Sequence, residues 1–187
     1  MVLISELLRA LRATLVLWTL TVLVISLPLL GLAPLLAPEA ARGSLIQRDG
    51  TVVGSRLIGQ RFSSSRYLWG RPAGSPNLAP ADPALRERVA AAAAHWQAAG
   101  IPRPAGELLL DSASGVDPHI GLEAARQQLP RLALERQLPL NRLETLLRRC
   151  MEGPRQLVAI EPVVNVLDFN LALDQLSGVV KIGRAHV

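Results

Sequence analysis

The chain has 187 residues, a formal net charge of +5 and a hydrophobic fraction of 50%. Its aromatic content is only 3% and its arginines are scattered rather than gathered in runs, which excludes a nucleic-acid surface built from basic patches and stacking rings. A single cysteine, Cys150, excludes an internal disulfide and a cysteine-built metal cluster; it falls in an apolar row with Leu143, Leu146 and Leu147 and reads as a small core residue.

From Ala13 to Pro38 no charged side chain interrupts the chain, and Arg9 and Arg12 stand directly ahead of that block. A helix needs roughly 20 apolar residues to cross a hydrocarbon layer of about 30 Å, and a helix satisfies its own backbone within lipid. No basic residue follows until Arg42, so the positive-inside rule predicts a cytoplasmic N-terminus at residues 1–12, a transmembrane helix at 13–38 and an exterior domain at 39–178, in the periplasm or its equivalent. A cleaved signal peptide is the competing reading. Its apolar region would run to about 7–15 residues before a small-residue cleavage site, and Leu35-Leu36-Ala37-Pro38 offers no such site. Pro28 and Pro34 are expected to kink or end the helix near its outer end.

In the exterior domain, Gly43-Ser44-Leu45-Ile46-Gln47 leads through Arg48-Asp49-Gly50 into Thr51-Val52-Val53-Gly54, a hairpin signal. The stretch from Arg71 to Pro80 is rich in Pro, Gly, Ser and Asn and reads as irregular. Asp82-Pro83 opens a helix as N-cap and first helical residue; Leu85, Val89, Ala92 and Trp96 follow at helical spacing and Gly100 closes it. Leu108-Leu109-Leu110 is expected to form a buried strand, and Ser112–Pro118 a loop. Leu122, Ala125 and Leu129 mark a second helix that Pro130 should break or kink, restarting a turn through Leu132 and Leu134. Leu140, Leu143, Leu146 and Leu147 mark a third. Leu157–Ile160 and Val163–Val166 read as strands, and Leu167–Leu176 as a closing helix. Strands and helices mix without βαβ alternation, so the class is α+β, one domain behind a single N-terminal transmembrane helix. Residues 181–187, which hold the sole lysine, Lys181, reverse-translate to common sequencing-adapter DNA and read as a non-native tail.

Sequence motifs for chemistry are sparse. There is no P-loop, no Ser/His/Asp signature and no H-E-x-x-H. Asp117-Pro118-His119 offers two donors without third and fourth partners, a poor metal site, and Asp117 is better read as the N-cap of a helix entered at Pro118. His95, beside Trp96 on a helix, reads as a surface or packing residue. Asn165 interrupts an apolar strand and should satisfy backbone groups of a neighbouring turn.

Several separated blocks carry a family likeness: Gly43-Ser44-Leu45-Ile46, Leu57-Ile58-Gly59-Gln60, Gly70-Arg71-Pro72, Ala113 through Ile120, Gln128-Leu129-Pro130-Arg131, and Pro162 through Leu167 followed by Asn170-Leu171-Ala172-Leu173. In order and spacing they resemble the KdpC family, the C subunit of the Kdp potassium-transporting P-type ATPase. One departure is a loop shortened to Ala73-Gly74-Ser75-Pro76. The resemblance implies an accessory, catalytic-chaperone-like subunit without catalytic or metal site of its own. Its implied partners are a potassium-channel-like subunit, a P-type ATPase subunit and a small helical subunit. It implies a single-pass protein of the bacterial inner membrane with ATP entering through the complex, the subunit having no cofactor of its own. It also carries a nucleotide contact onto Gln128; the residues themselves favour a plain helix position ahead of the Pro130 break. The alternatives of a different class are a membrane-anchored envelope hydrolase, against which the missing nucleophile–base motif argues, and an envelope binding module.

Overall fold

The computed structural model describes residues 2–48, 50–72, 74, 78–152 and 162–177. The chain divides into two units, one ending at Ser44 and the other beginning at Leu45. The expected strand at Leu157–Ile160, the tail at 181–187, and Ala73, Ser75 and Pro76 of the shortened loop lie outside the described residues.

The first unit is a helix α1 (Val2–Thr21), a π turn (Val22–Ser26), a helix α2 (Leu27–Leu36) and a short helix α3 (Pro38–Ala41). Leu3–Leu36 is one helical span of 34 residues, long and apolar enough to cross a membrane and nowhere buried. It starts well before the uncharged block, because Leu3, Ile4, Leu7 and Leu8 ahead of the two arginines, and Leu11 between them, extend the apolar pattern. Neither proline stops it early. Pro28 has no N–H for the carbonyl four residues back, and the turn ahead of it widens so that the Leu27 N–H bonds the Val22 carbonyl, a π geometry. Helical conformation ends at Ala37, with φ −145°.

The second unit is α+β. Strands β1 (Leu45–Arg48) and β2 (Thr51–Ser55) form the expected antiparallel hairpin, with a bulge between Ile46 and Gln47. A strap then runs from Arg56 to Pro72, outside both sheets apart from an isolated bridge residue at Arg61. Helix α4 (Pro83–Ala98) begins as its sequence predicts: the Asp82 carboxylate accepts the Ala84 N–H at 2.9 Å. It closes at Gly100, whose φ is +85°. The expected strand at Leu108–Leu110 is instead a 3-10 turn over Gly106–Leu108. Among the described residues no strand pairs with it; Leu108 is buried while Leu110 is exposed.

Strand β3 (His119–Gly121) leads directly into α5 (Leu122–Arg136). Pro130 does not break α5, contrary to expectation. The carbonyl it leaves without a donor belongs to Arg126, and both residues are exposed, so water can take that bond. Leu134, read as part of a restarted turn, is 81% exposed. The helix ends at Gln137, in the left-handed region at φ +53°. Helix α6 (Leu140–Cys150), strand β4 (Met151–Glu152), strand β5 (Val163–Asn165) and helix α7 (Val166–Ser177) complete the unit. The second sheet is antiparallel in the order β3-β5-β4. One apolar core, including Leu68, Leu108, Leu129, Leu143, Leu147 and Phe169, lies between this sheet, α5, α6 and α7.

Candidate functional site

The strap is where the polar chemistry of the domain collects. Its backbone lacks a ladder, so buried side chains supply the missing partners. Asn170, on α7, accepts the Leu68 N–H at 2.8 Å and donates to the Leu68 carbonyl at 2.9 Å. Gln128, on α5, does the same for the next residue: Oε1 accepts the Trp69 N–H and Nε2 donates to the Trp69 carbonyl, both at 2.9 Å. Neither amide is accessible to solvent. Gln128 Nε2 also reaches the Ala124 carbonyl at 3.4 Å, and Oε1 accepts from Arg131 at 2.9 Å. Arg131 further donates to the carbonyls of Ser65 and Tyr67 and lies 4.0 Å above the Trp69 ring. Burial, with Glu135 opposing, pulls its pKa down to about 10.

A second group anchors the other side of the strap. Arg136 and Asp174, both fully buried, pair at 2.8 Å. Asp174 also meets Arg48 of the hairpin at 3.5 Å and accepts the Tyr67 hydroxyl at 3.3 Å. Arg136 donates to the Arg66 carbonyl and sits over the Tyr67 ring. Burial, and then the Asp174 charge, push the Tyr67 phenol above its usual range. Hairpin, strap, α5 and α7 are thus tied at one point.

The third group corrects the sequence reading. Asp117 caps no helix, because β3 rather than a helix follows Pro118. Its Oδ1 accepts the His119 N–H at 3.0 Å and lies 3.2 Å from His119 Nδ1, a local turn that delivers the chain into β3. Gly115, at φ +71°, makes the preceding turn. Gly59 leaves no room for a side chain beside it, since a Cβ would stand 2.6 Å from the Asp117 carbonyl oxygen. The start of α5 is satisfied from elsewhere: the Glu107 carboxylate accepts the Gly121 N–H at 2.9 Å. Asn165 behaves as its position in an apolar strand predicts. It donates to the Arg56 carbonyl at 3.0 Å and accepts the Leu167 and Asp168 N–H groups at 3.1 and 3.2 Å, capping α7.

Beside Trp69 opens a groove of about 410 Å³, walled by Phe62, Trp69, Trp96 and Leu108 and bordered by Arg61 and Arg71. His95 stacks on Trp69 with ring centres 4.9 Å apart, so its role in the structure is packing, and Trp96 Nε1 donates to the Leu108 carbonyl at 2.8 Å. Gln128 stands behind this groove and does not line it; the sequence marked the residue without showing what held it. Asn170 enters the sequence reading only within a block of family likeness, and Arg136 and Asp174 do not enter it. Asn170 alone left a signal, a buried amide within the apolar row Phe169–Leu173. Among the described residues no group of three or more His, Cys, Asp or Glu side chains could hold a metal ion. Cys150 is half-buried against the core, and burial raises its thiol pKa.

Comparison with known proteins agrees with the pattern of these blocks. The profile of KdpC, described as the K+-transporting ATPase c chain, matches residues 7–175. The potassium-transporting ATPase KdpC subunit of Methylobacterium nodulans is 42% identical over 200 residues, covering 91% of this chain and 99% of the relative. That of Pectobacterium atrosepticum is 43% identical over 185 residues, covering 89% and 97%, and that of Synechocystis 40% over 182 residues, covering 88% and 95%.

Proposed function

Since the chain belongs to the KdpC family of potassium-transporting ATPase subunits, we propose that it works as an accessory subunit that aids assembly of the complex and the use of ATP by the P-type ATPase subunit. In this reading it performs no phosphoryl transfer itself and ATP enters through the complex. The partners are a potassium-channel-like subunit, the ATPase subunit and a small helical subunit. Leu3–Leu36 anchors the chain once in the bacterial inner membrane, with the N-terminus cytoplasmic and the domain from Leu45 onward periplasmic.

The observation that supports this best is the extent of the likeness. It runs through both the unburied apolar helix and the α+β unit, which fits a protein that needs both. The buried polar side chains support a scaffolding role, because Gln128, Asn170, Arg136 and Asp174 bond the strap and one another. The test is co-purification of the P-type ATPase subunit with the full chain and with a chain lacking residues 2–44. Recovery only with the full chain, together with growth at limiting potassium, is the expected result; equal recovery with both, or with neither, overturns the anchored-subunit reading.

A second reading keeps Gln128 as a nucleotide contact. Its support is position, directly behind the Trp69 wall of the groove. Against it stands the full commitment of the amide to four internal bonds. Titration of the full chain with labelled ATP decides between them: no saturable binding in the micromolar range is expected, and micromolar binding lost in a folded Gln128→Ala chain would favour the nucleotide contact.

A further inference from the structure

We propose that the groove beside Trp69 binds a small aromatic carboxylate, with Arg71 as its anion partner. At about 410 Å³ the groove is within the range of small-molecule sites. Its walls are apolar and aromatic, and the charged side chains that line it, Arg61 and Arg71, are both cationic. A ligand that fits has an apolar ring and a negative charge.

Arg71 is the more telling of the two. Its side chain is three-quarters buried, and its nearest carboxylate oxygen, on Glu107, is 4.0 Å away. That carboxylate is already engaged by the Gly121 N–H. The other bond of Arg71 is a long one, Nη2 to the Asp111 carbonyl at 3.3 Å, and Nε is buried with no partner among the described residues. A quarter of the Arg71 side chain stays exposed where it lines the groove, and a carboxylate suits its planar donor set. Other arginines with an unpaired nitrogen are differently placed. Arg48 and Arg136 share the Asp174 carboxylate, Arg131 has three oxygen acceptors, and Arg66, whose Nε also has no partner among the described residues, does not line the groove.

The wall is held ready. Trp69 is fixed through its backbone by Gln128 and through its ring by Arg131 and His95, so little ordering is left for the ligand to impose. A monocarboxylate suits the site better than a nucleoside triphosphate, since the described residues offer no cluster for the divalent cation such a ligand carries.

The test is calorimetric titration of the full chain in lipid nanodiscs with indole-3-acetate and with its uncharged isostere, indole-3-acetamide. The acid is expected to bind saturably and at least about tenfold more tightly than the amide, as a charge-assisted bond at a buried guanidinium requires. In Arg71→Met the two should bind alike, and Arg71→Lys should recover part of the preference. Absence of saturable binding at millimolar acid, equal binding of acid and amide, or an Arg71→Met chain that melts normally and keeps the preference each overturns the proposal. So does displacement of the acid by MgATP, which would give the groove to nucleotide. If Arg71→Met does not fold, the acid-to-amide ratio in the unaltered chain decides alone.

Discussion

Gln128 holds Trp69 as a neighbouring strand would, taking its N–H and giving an N–H to its carbonyl, both at 2.9 Å. Asn170 holds Leu68 in the same way from α7. Two consecutive residues of the strap, neither of them in a strand, are thus paired by amide side chains from two helices. A side-chain amide carries the same donor and acceptor as a peptide group, and that is why these positions are Gln and Asn rather than charged or apolar residues.

Gln128→Ala should therefore lower stability by about 2–4 kcal/mol, because it strands the backbone N–H and carbonyl of Trp69 and takes one acceptor from the Arg131 guanidinium. Gln128→Glu keeps the acceptor for the Trp69 N–H and for Arg131 but sets a second oxygen against the Trp69 and Ala124 carbonyls in a site closed to solvent, so it too should destabilise the fold. Urea unfolding of the two variants measures this; a loss below about 1 kcal/mol in Gln128→Ala would mean that water replaces the amide.

Asp174→Ala leaves the fully buried Arg136 guanidinium without its carboxylate, and should destabilise by about 3–5 kcal/mol. Glu144→Ala breaks a half-exposed pair with Arg126 at 3.8 Å and should change stability by less than about 1 kcal/mol. Similar losses for the two variants would contradict the burial argument.

Asn165→Ala removes the α7 cap and the link to the Arg56 carbonyl, and should cost about 1–2 kcal/mol. Asp117→Ala removes a turn bond outside any helix and should cost less. Thermal melting alongside recovery of the assembled complex separates scaffold from interface: assembly should fall only as far as stability does, and lost assembly at full stability would place these residues at a partner.

Tyr67 is the chain's only tyrosine, so its ionisation can be followed directly by ultraviolet absorbance. Its pKa in the fold is raised, chiefly by burial, above the ordinary value of about 10. Between the unfolded and folded values the native state holds the extra proton. The stability this provides is complete below about pH 10 and is lost as pH rises through the folded value. The absorbance midpoint should lie above that of the unfolded chain, and Tyr67→Phe should flatten the alkaline decline in stability. A midpoint that does not move on unfolding would remove the effect.

A reporter active only in the cytoplasm, fused after Leu176, should be silent if Arg9 and Arg12 hold the N-terminus inside. Strong activity there would reverse the proposed orientation.

Local rules made several elements legible. Asp82-Pro83 announced α4, Asp-Gly the hairpin, and the leucine spacing α6. Where tertiary context chose between options, the local reading failed. Leu108-Leu109-Leu110 is apolar enough for a strand, but no strand among the described residues pairs with it and the segment turns instead. Pro130 breaks a helix in isolation, yet in α5 its orphaned carbonyl faces water. Asp117 has the chemistry of a helix cap, but the residues after it enter the sheet. The Arg136–Asp174 pair had no local signature at all, because it joins residues on separate helices through a core that only the fold creates.

The bonds between strap and α7 also decide when the domain can form. Leu68 finds its partner Asn170 at a separation of 102 residues, and Arg56 finds Asp168 at 112. Until the last helix has been synthesised, the strap has no partner for these groups, and such long-range closure slows folding. The nascent domain therefore stays unlocked through most of its translation. Loss of α7 would remove the latch itself, leaving earlier elements able to form but unable to close.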